Sequence, residues 1–349
     1  MRSTWCGLAL IMLSLCLPAC ARSEGGLWVS KERLARLPVE GAAWDRLRKT
    51  ARGDVRNPDL SNKDDRTNVV VLAKALVYAR TGEPALREDV VSACRAAMGT
   101  EGGTTLALGR ELAAYVIAAD LVSLSAGDDR AFRGWLSAIA REEIGGRTLV
   151  STHEGRPNNW GTHAGASRIA VAAYLGDRRE LERAARVFRG WLGDLGAYAG
   201  FAFREDWWQA DPATPRGVNP RGARKQGHSI DGVLPDDQRR GGPFRWPPPR
   251  ENYVYEALQG ALAQAVLLDR AGYKEVWDWG DRALLRAFRW LHEQARFPAE
   301  GDDTWQPHVV NHFYGTSFPA PIPSRPGKNV GFSDWTHAGS PGASRQGIE

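Results

Sequence analysis

The sequence predicts an all-α chain folded as an α/α toroid, an incomplete barrel of repeated helix hairpins. Three observations lead there. Apolar residues recur at helical spacing along most of the chain, period-two alternation is nearly absent, and the helix breaks themselves fall at similar intervals. Of the 349 residues, 43% are hydrophobic and 25% charged, globular values that exclude a disordered or collagen-like chain. Such a length is near the most that one core supports. The 46 Lys and Arg against 41 Asp and Glu give a net charge of +5, too mild and too scattered to point to nucleic acid. A polyanion of another kind stays open. The 14 Trp exceed what a core requires and suit a cleft where flat rings stack on sugars.

In chain order, Arg2, the apolar run Leu8 to Leu17 and Pro18-Ala19-Cys20 have the layout of a secretory signal peptide over residues 1–20. Leu17 to Cys20 also has the layout of a lipobox. A lipid anchor at Cys20 and plain cleavage are therefore alternatives, and either delivers the protein to a bacterial periplasm or cell surface. Cleavage leaves at most Cys20 and Cys94, so no disulfide framework is expected and a large core must hold the chain. No later apolar run reaches the length of a transmembrane span. One domain is expected over residues 27–337, followed by a disordered tail over 338–349.

Leu112, Tyr115, Val116, Ala119 and Val122 form one helical stripe, and Leu258, Ala261, Leu262, Ala265 and Leu268 repeat its spacing. Phe132, Trp135, Leu136 and Ile139 make a shorter one. Val276 to Leu291 reads as a single stripe of four turns. Breaks at Gly82, Gly127, Gly176 and Gly272 each place glycine where a C-cap belongs. Their spacings of 45, 49 and 96, the last about twice 48, predict helix hairpins with a period near 47 residues. Between Asp211 and Arg250 eight Pro and six Gly exclude a helix hairpin. With Trp207, Trp208, Trp246 and many arginines in or beside it, that insertion is expected to wall an active-site cleft.

Two clusters carry candidate chemistry. Arg156-Pro157-Asn158-Asn159-Trp160-Gly161-Thr162-His163 opens a helix, with Asn158 a good N-cap. Free N–H groups at such an end attract an anion, and Asn159 and His163, four apart, share a face. Capping explains one Asn but not Asn-Asn followed by Trp and His. The second cluster runs from Gln226-Gly227-His228 through Asp231-Gly232 and Arg239-Arg240-Gly241 to Tyr253-Val254-Tyr255-Glu256. Its plain alternative is a solvated arginine loop leading into a helix whose tyrosines pack in the core.

From about Leu106 to Gly331 the sequence resembles the alginate-lyase-like polysaccharide lyases, α/α toroid enzymes that cleave uronic-acid polymers by β-elimination. The resemblance is carried by Asn158-Asn159, by Asp231-Gly232 through Arg240-Gly241, and by Tyr253 four residues before Ala257-Leu258. In that family an Asn-Asn-His motif supplies the Asn that binds the substrate carboxylate and a His near the proton, and an Arg and a Tyr downstream complete the site. The resemblance thus implies Asn159 as carboxylate binder, with Asn158 and Trp160 beside it, Arg240 as the arginine and Tyr253 as the catalytic tyrosine. Trp160 stands where the family has His, and His163 where it has an aromatic. His163 and His228 both remain candidates for the assisting histidine, the second matching chondroitin-type lyases. Residues 243–250 widen the Arg-to-Tyr spacing, so Arg239 or Arg245 are alternatives to Arg240, with Trp246 as a sugar contact. A uronate's C5 proton is weakly acidic, and cationic groups on its carboxylate stabilise the enolate-like transition state. A phenol is a poor base at neutral pH, but a neighbouring guanidinium favours phenolate.

Two other features are weaker. His308 and His312 could share a metal on one helix face, but no zincin Glu follows. No metal and no cofactor is expected. The segment from Lys328 to His337 either closes the cleft or is a plain surface loop. The expected partner is an acidic polysaccharide. Rival functions are a glycoside hydrolase using two carboxylates among Asp206, Asp211, Asp231, Asp236, Asp237 and Glu256, and a non-catalytic carbohydrate-binding lipoprotein.

Overall fold

The computed structural model describes residues 26–338. The signal segment with Cys20, and all of the predicted tail but Ala338, lie outside the described residues. Two short helices, α1 (Lys31–Arg36) and α2 (Ala42–Thr50), precede the hairpin α3 (Thr67–Thr81) and α4 (Pro84–Ala97). Next come α5 (Thr105–Val122) with α6 (Ala126–Ile139), short α7 (Leu149–Gly155), and α8 (Asn159–Leu175) with α9 (Arg178–Trp191). The insertion contains the hairpin β1 (Arg224–Lys225) and β2 (His228–Ser229) and a single helical turn, α10 (Pro235–Gln238). The remainder is α11 (Tyr253–Arg270), α12 (Trp279–Arg289), α13 (Gln306–Tyr314) and α14 (Ser333–Thr336). The chain is all-α. Among the described residues no helix is long and apolar enough to cross a membrane.

Helix composition sorts the layers. α5 and α11 bury nearly every position and α3 and α8 most of theirs, and the four pack side by side in the order α3, α5, α8, α11, as largely apolar helices must. α4, α6 and α9 bury one face each, through Val90 and Cys94, Phe132 and Leu136, or Leu181 and Phe188, and lie outside them. Contacts run on from α11 through α13 and α14 to α2 and back to α3. Trp44 meets Trp335 at 5.4 Å and Arg46 pairs with Asp334 at 2.6 Å there. This layering is consistent with an incomplete toroid of hairpins. Cys94 is buried and free, and burial pushes its thiol up to about 12, so it is inert.

Several expectations require correction. Gly82 and Gly176 do end α3 and α8 in the left-handed conformation, but Gly127 lies in the first turn of α6. Ser125 caps that helix, and α5 ends at Ser123. The inner helices begin at Thr67, Thr105, Asn159 and Tyr253, so their spacing is uneven and the 47-residue period does not hold. The stripe from Val276 to Leu291 is not one helix: Gly280, Asp281 and Arg282 all have positive φ. Arg286 makes this possible by donating to the Gly280 and Asp281 carbonyls, which the kink would otherwise leave unpaired. The Lys328–His337 segment is not a surface loop. Asn68 donates to the Lys328 carbonyl at 2.8 Å, the Lys328 amide donates to Gln259 at 2.8 Å, and Trp335 is buried.

α8 is pinched between its neighbours by glycines. A Cβ on Gly109 of α5 would stand 2.9 Å from the Ala164 nitrogen, and one on Gly260 of α11 would overlap the Thr162 and His163 backbone. Gly260→Ala is therefore expected to cost about 1–3 kcal/mol through overpacking. Gly134→Ala, on the open face of α6 with nothing near its added methyl, should instead gain about 0.4–1 kcal/mol. Chemical denaturation of both variants checks the opposite signs.

Candidate active site

Helix α8 begins as its sequence dictates. The Asn158 side-chain oxygen accepts from the Trp160 amide at 3.2 Å, capping the helix, and its Nδ2 donates to Asp236 at 2.9 Å. Both ends of that amide are thus engaged. Asn159 differs: its side chain is fully buried and neither Nδ2 nor Oδ1 has a partner. One turn on, His163 is equally buried with both ring nitrogens unpartnered. Such orphaned groups are costly and rare in native interiors. Burial, then the charges of Arg110 and Lys328, hold the imidazole well below the usual histidine range. His163 is therefore neutral at neutral pH.

Above this turn lies an open cleft of about 420 Å³ lined by Arg156, Asn158, Trp160, Arg204, Glu205, Arg239 and Arg240. The turn after α10 supplies its far wall through Arg239 and Arg240. The Arg156 guanidinium sits over the Trp160 ring at 5.4 Å. Arg239 pairs with Glu205 at 2.6 Å and with Asp236 at 3.1 Å. Arg240 is exposed and lies 3.9 Å from the centroid of the Tyr253 ring, itself 40% exposed at the start of α11. Four guanidiniums against one lining carboxylate make the cleft a site for anions.

A second charged group joins α5, α11 and the C-terminal segment. Arg110 of α5 donates to Glu256 at 2.6 Å, and Lys328 also pairs with Glu256, one turn after Tyr253 on α11. Arg110 and Lys328 are the cations whose charges bear on His163. Sequence reasoning missed them as site residues because only tertiary packing brings α5 and the C-terminal segment to α11.

The structure therefore gathers Asn158, Trp160, Arg239 and Arg240 around the cleft, with Tyr253 against Arg240, and seals Asn159 and His163 within. It does not gather the rest. His228 is stacked on Trp246 at 4.4 Å, and neither they nor Arg245 line the cleft. None of the six hydrolase candidates lines the cleft, and three are held in other contacts: Asp231 pairs with Arg286 at 2.6 Å, Glu256 is in two ion pairs, and Asp236 accepts from Asn158, Arg204 and Arg239. His312 on α13 packs edge-on to Phe313 and His337. Among the described residues no group of three His, Cys, Asp or Glu could hold a metal ion.

A family model described as Alginate lyase matches residues 28–205, just over half the chain. The chain belongs to the alginate lyase family. Membership supports polysaccharide lyase activity in general. No curated protein matches the chain. The matched span holds Asn158, Asn159, Trp160 and His163, whereas Arg239, Arg240 and Tyr253 come from beyond it.

Because His163 is uncharged in the fold but binds a proton near pH 6.5 once unfolded, it lowers stability as pH falls below that value. His163→Gln removes the linkage. Relative to the parent, the variant should gain stability as the pH falls below 6.5, by at most about 1.4 kcal/mol per pH unit, read from denaturant titrations at pH 8 and pH 5.5. A stability difference independent of pH would contradict a buried neutral histidine.

Proposed function

We propose that the protein cleaves a uronic-acid polysaccharide, such as alginate or glucuronan, by β-elimination. The observation that carries this reading is the arginine-lined cleft over the amino terminus of α8, with Tyr253 against Arg240. Uronate polymers bring a carboxylate on every sugar. Guanidiniums pair with it bidentately, and the Trp160 ring offers a face for the sugar itself.

In the proposed reaction Arg240 and Arg239 take up the uronate carboxylate and draw charge from C5. The free Asn159 amide, at a helix amino terminus that favours negative charge, adds a donor as the enolate forms. Asn159 and His163 are sealed from solvent, so the side chains above them must part when the sugar enters. The C5–H bond breaks as a base takes the proton, the C4=C5 double bond forms, and the C4–O4 bond breaks as an acid protonates the leaving oxygen. Tyr253 serves as acid, and as base too where proton and leaving group share a face. His163, neutral and with both ring nitrogens unpartnered, is the assisting histidine, acting through a hydrogen bond to the sugar rather than by holding a proton. His228 stacks on Trp246 and does not line the cleft. The hydrolase alternative lacks two free carboxylates facing across the cleft, since Glu205 is the only acid lining it and is paired with Arg239. In this reading the leader over residues 1–20 exports the enzyme, with or without a lipid on Cys20, to where such polymers are met.

Elimination creates a double bond conjugated with the carboxylate that absorbs ultraviolet light, which hydrolysis and simple binding do not. Tyr253→Phe should abolish that signal on every uronate polymer the parent cleaves while leaving oligosaccharide binding largely intact. Tyr255→Phe is the control. Its hydroxyl is buried and donates to the Phe297 carbonyl at 2.7 Å, so its loss should cost roughly 1 kcal/mol of stability and little turnover. Near-normal elimination by Tyr253→Phe refutes the assignment.

Asn159→Ala removes two unpaired buried polar atoms and no hydrogen bond of its side chain. Stability should hold or rise while turnover falls roughly a hundredfold, the usual loss for one transition-state donor. Paired melting and turnover measurements check it; activity that merely tracks the folded fraction would assign the residue to folding.

A further inference from the structure

Resting on the lyase reading above, we propose that Asp237 is a positioning residue that holds Asn159 in place for the substrate carboxylate, without itself exchanging a proton in the reaction. The single turn of α10 sets two successive carboxylates against the first residues of α8. Asp236 accepts from the Asn158 side chain at 2.9 Å and Asp237 from the Asn159 backbone amide at 3.1 Å. Each Asp holds one Asn. Asp236 is also tied to the Arg204 amide and to Arg239, so the same turn fixes the arginine wall.

Asp237 makes the Asn159 contact through Oδ1 alone; its Oδ2 is buried without a partner, and no part of the residue is exposed. The first amides of a helix have no partner within it, and this contact supplies one from outside. It also fixes the backbone from which the unpartnered Asn159 side chain projects. Burial first, then the neighbouring Asp236, raise the Asp237 carboxyl well above the usual range, against the lowering effects of the Asn159 amide, Arg240 and Arg239. An uncharged acid here leaves the positive end of α8 without a resident anion, so a uronate can take that place.

The test compares Asp237→Asn and Asp237→Ala in the full chain. Asparagine keeps a neutral acceptor for the Asn159 amide, whereas alanine removes it. The Asn variant should keep kcat and KM within about threefold of the parent and a superimposable pH–rate profile. The Ala variant should raise KM at least tenfold. Equal inactivity of both variants, or loss of one limb of the profile in Asp237→Asn alone, would make Asp237 a proton carrier and overturn the proposal. Parent-like kinetics in Asp237→Ala would overturn it too. Should Asp237→Ala not fold, the profile and kinetics of Asp237→Asn decide. Hydrogen exchange at the Asn159 amide gives a readout without substrate: slow in the parent and Asp237→Asn, faster in Asp237→Ala. An exchange pattern as expected in a protein that forms no elimination product would sink the lyase reading and leave the positioning contact standing.

Discussion

Everything at the site depends on how closely α8 is held between α5 and α11. Gly109 and Gly260 let the two neighbours reach the α8 backbone at Thr162 to Ala164, and Gly165 leaves room for Gln264 of α11 and His153 of α7. Any larger residue would push α8 outward, and with it the turn that carries Asn158, Asn159 and His163. Glycines cost helix propensity, by up to about 1 kcal/mol each. Here the return is depth: polar side chains on α8 are buried far enough to lose their water, which strengthens every electrostatic interaction they make.

Around that fixed helix the charges are layered. Outermost are Arg156, Arg204, Arg239 and Arg240, balanced in part by Glu205 and Asp236. Beneath them lie the orphaned Asn159 and His163, and beside α11 the cations Arg110 and Lys328 share the carboxylate of Glu256. Burial first, and then Arg110 and Lys328, keep His163 from holding a proton, while the arginines of the cleft invite a polyanion. A net charge of only +5 conceals this, because acids elsewhere offset an arginine cluster gathered at one place.

Much of the fold was legible because it is local. The stripes at Leu112 to Val122 and Leu258 to Leu268 fall within α5 and α11, and Asn158 caps α8 as its type and place suggest. Gly127 misled because glycine marks either a helix end or simple tolerance. Ser125 followed by Asp128 was the better signal, since Ser125 accepts from the Asp128 amide. The kink at Gly280 to Arg282 was hidden, being held by Arg286, whose guanidinium also reaches the Asn219 carbonyl and Asp231 in the insertion. Of the site, the residue types were readable in Asn158 to His163 and in Arg239 to Tyr253. Which of them converge was not, because α10 reaches α8 across 78 positions of sequence. Mid-helix glycines in otherwise strong helices were the one local hint of the close approach.

The central claim is that a uronate carboxylate binds where the arginine turn meets the amino terminus of α8. The most direct measurement is a crystal structure of the full chain carrying Tyr253→Phe, soaked with a uronate oligosaccharide. The account predicts a sugar carboxylate against Arg239 or Arg240, within hydrogen-bond distance of the Asn159 side chain, and with C5 facing residue 253. An oligosaccharide bound elsewhere, for instance along the His228 and Trp246 stack with the α8 turn still sealed, would contradict it.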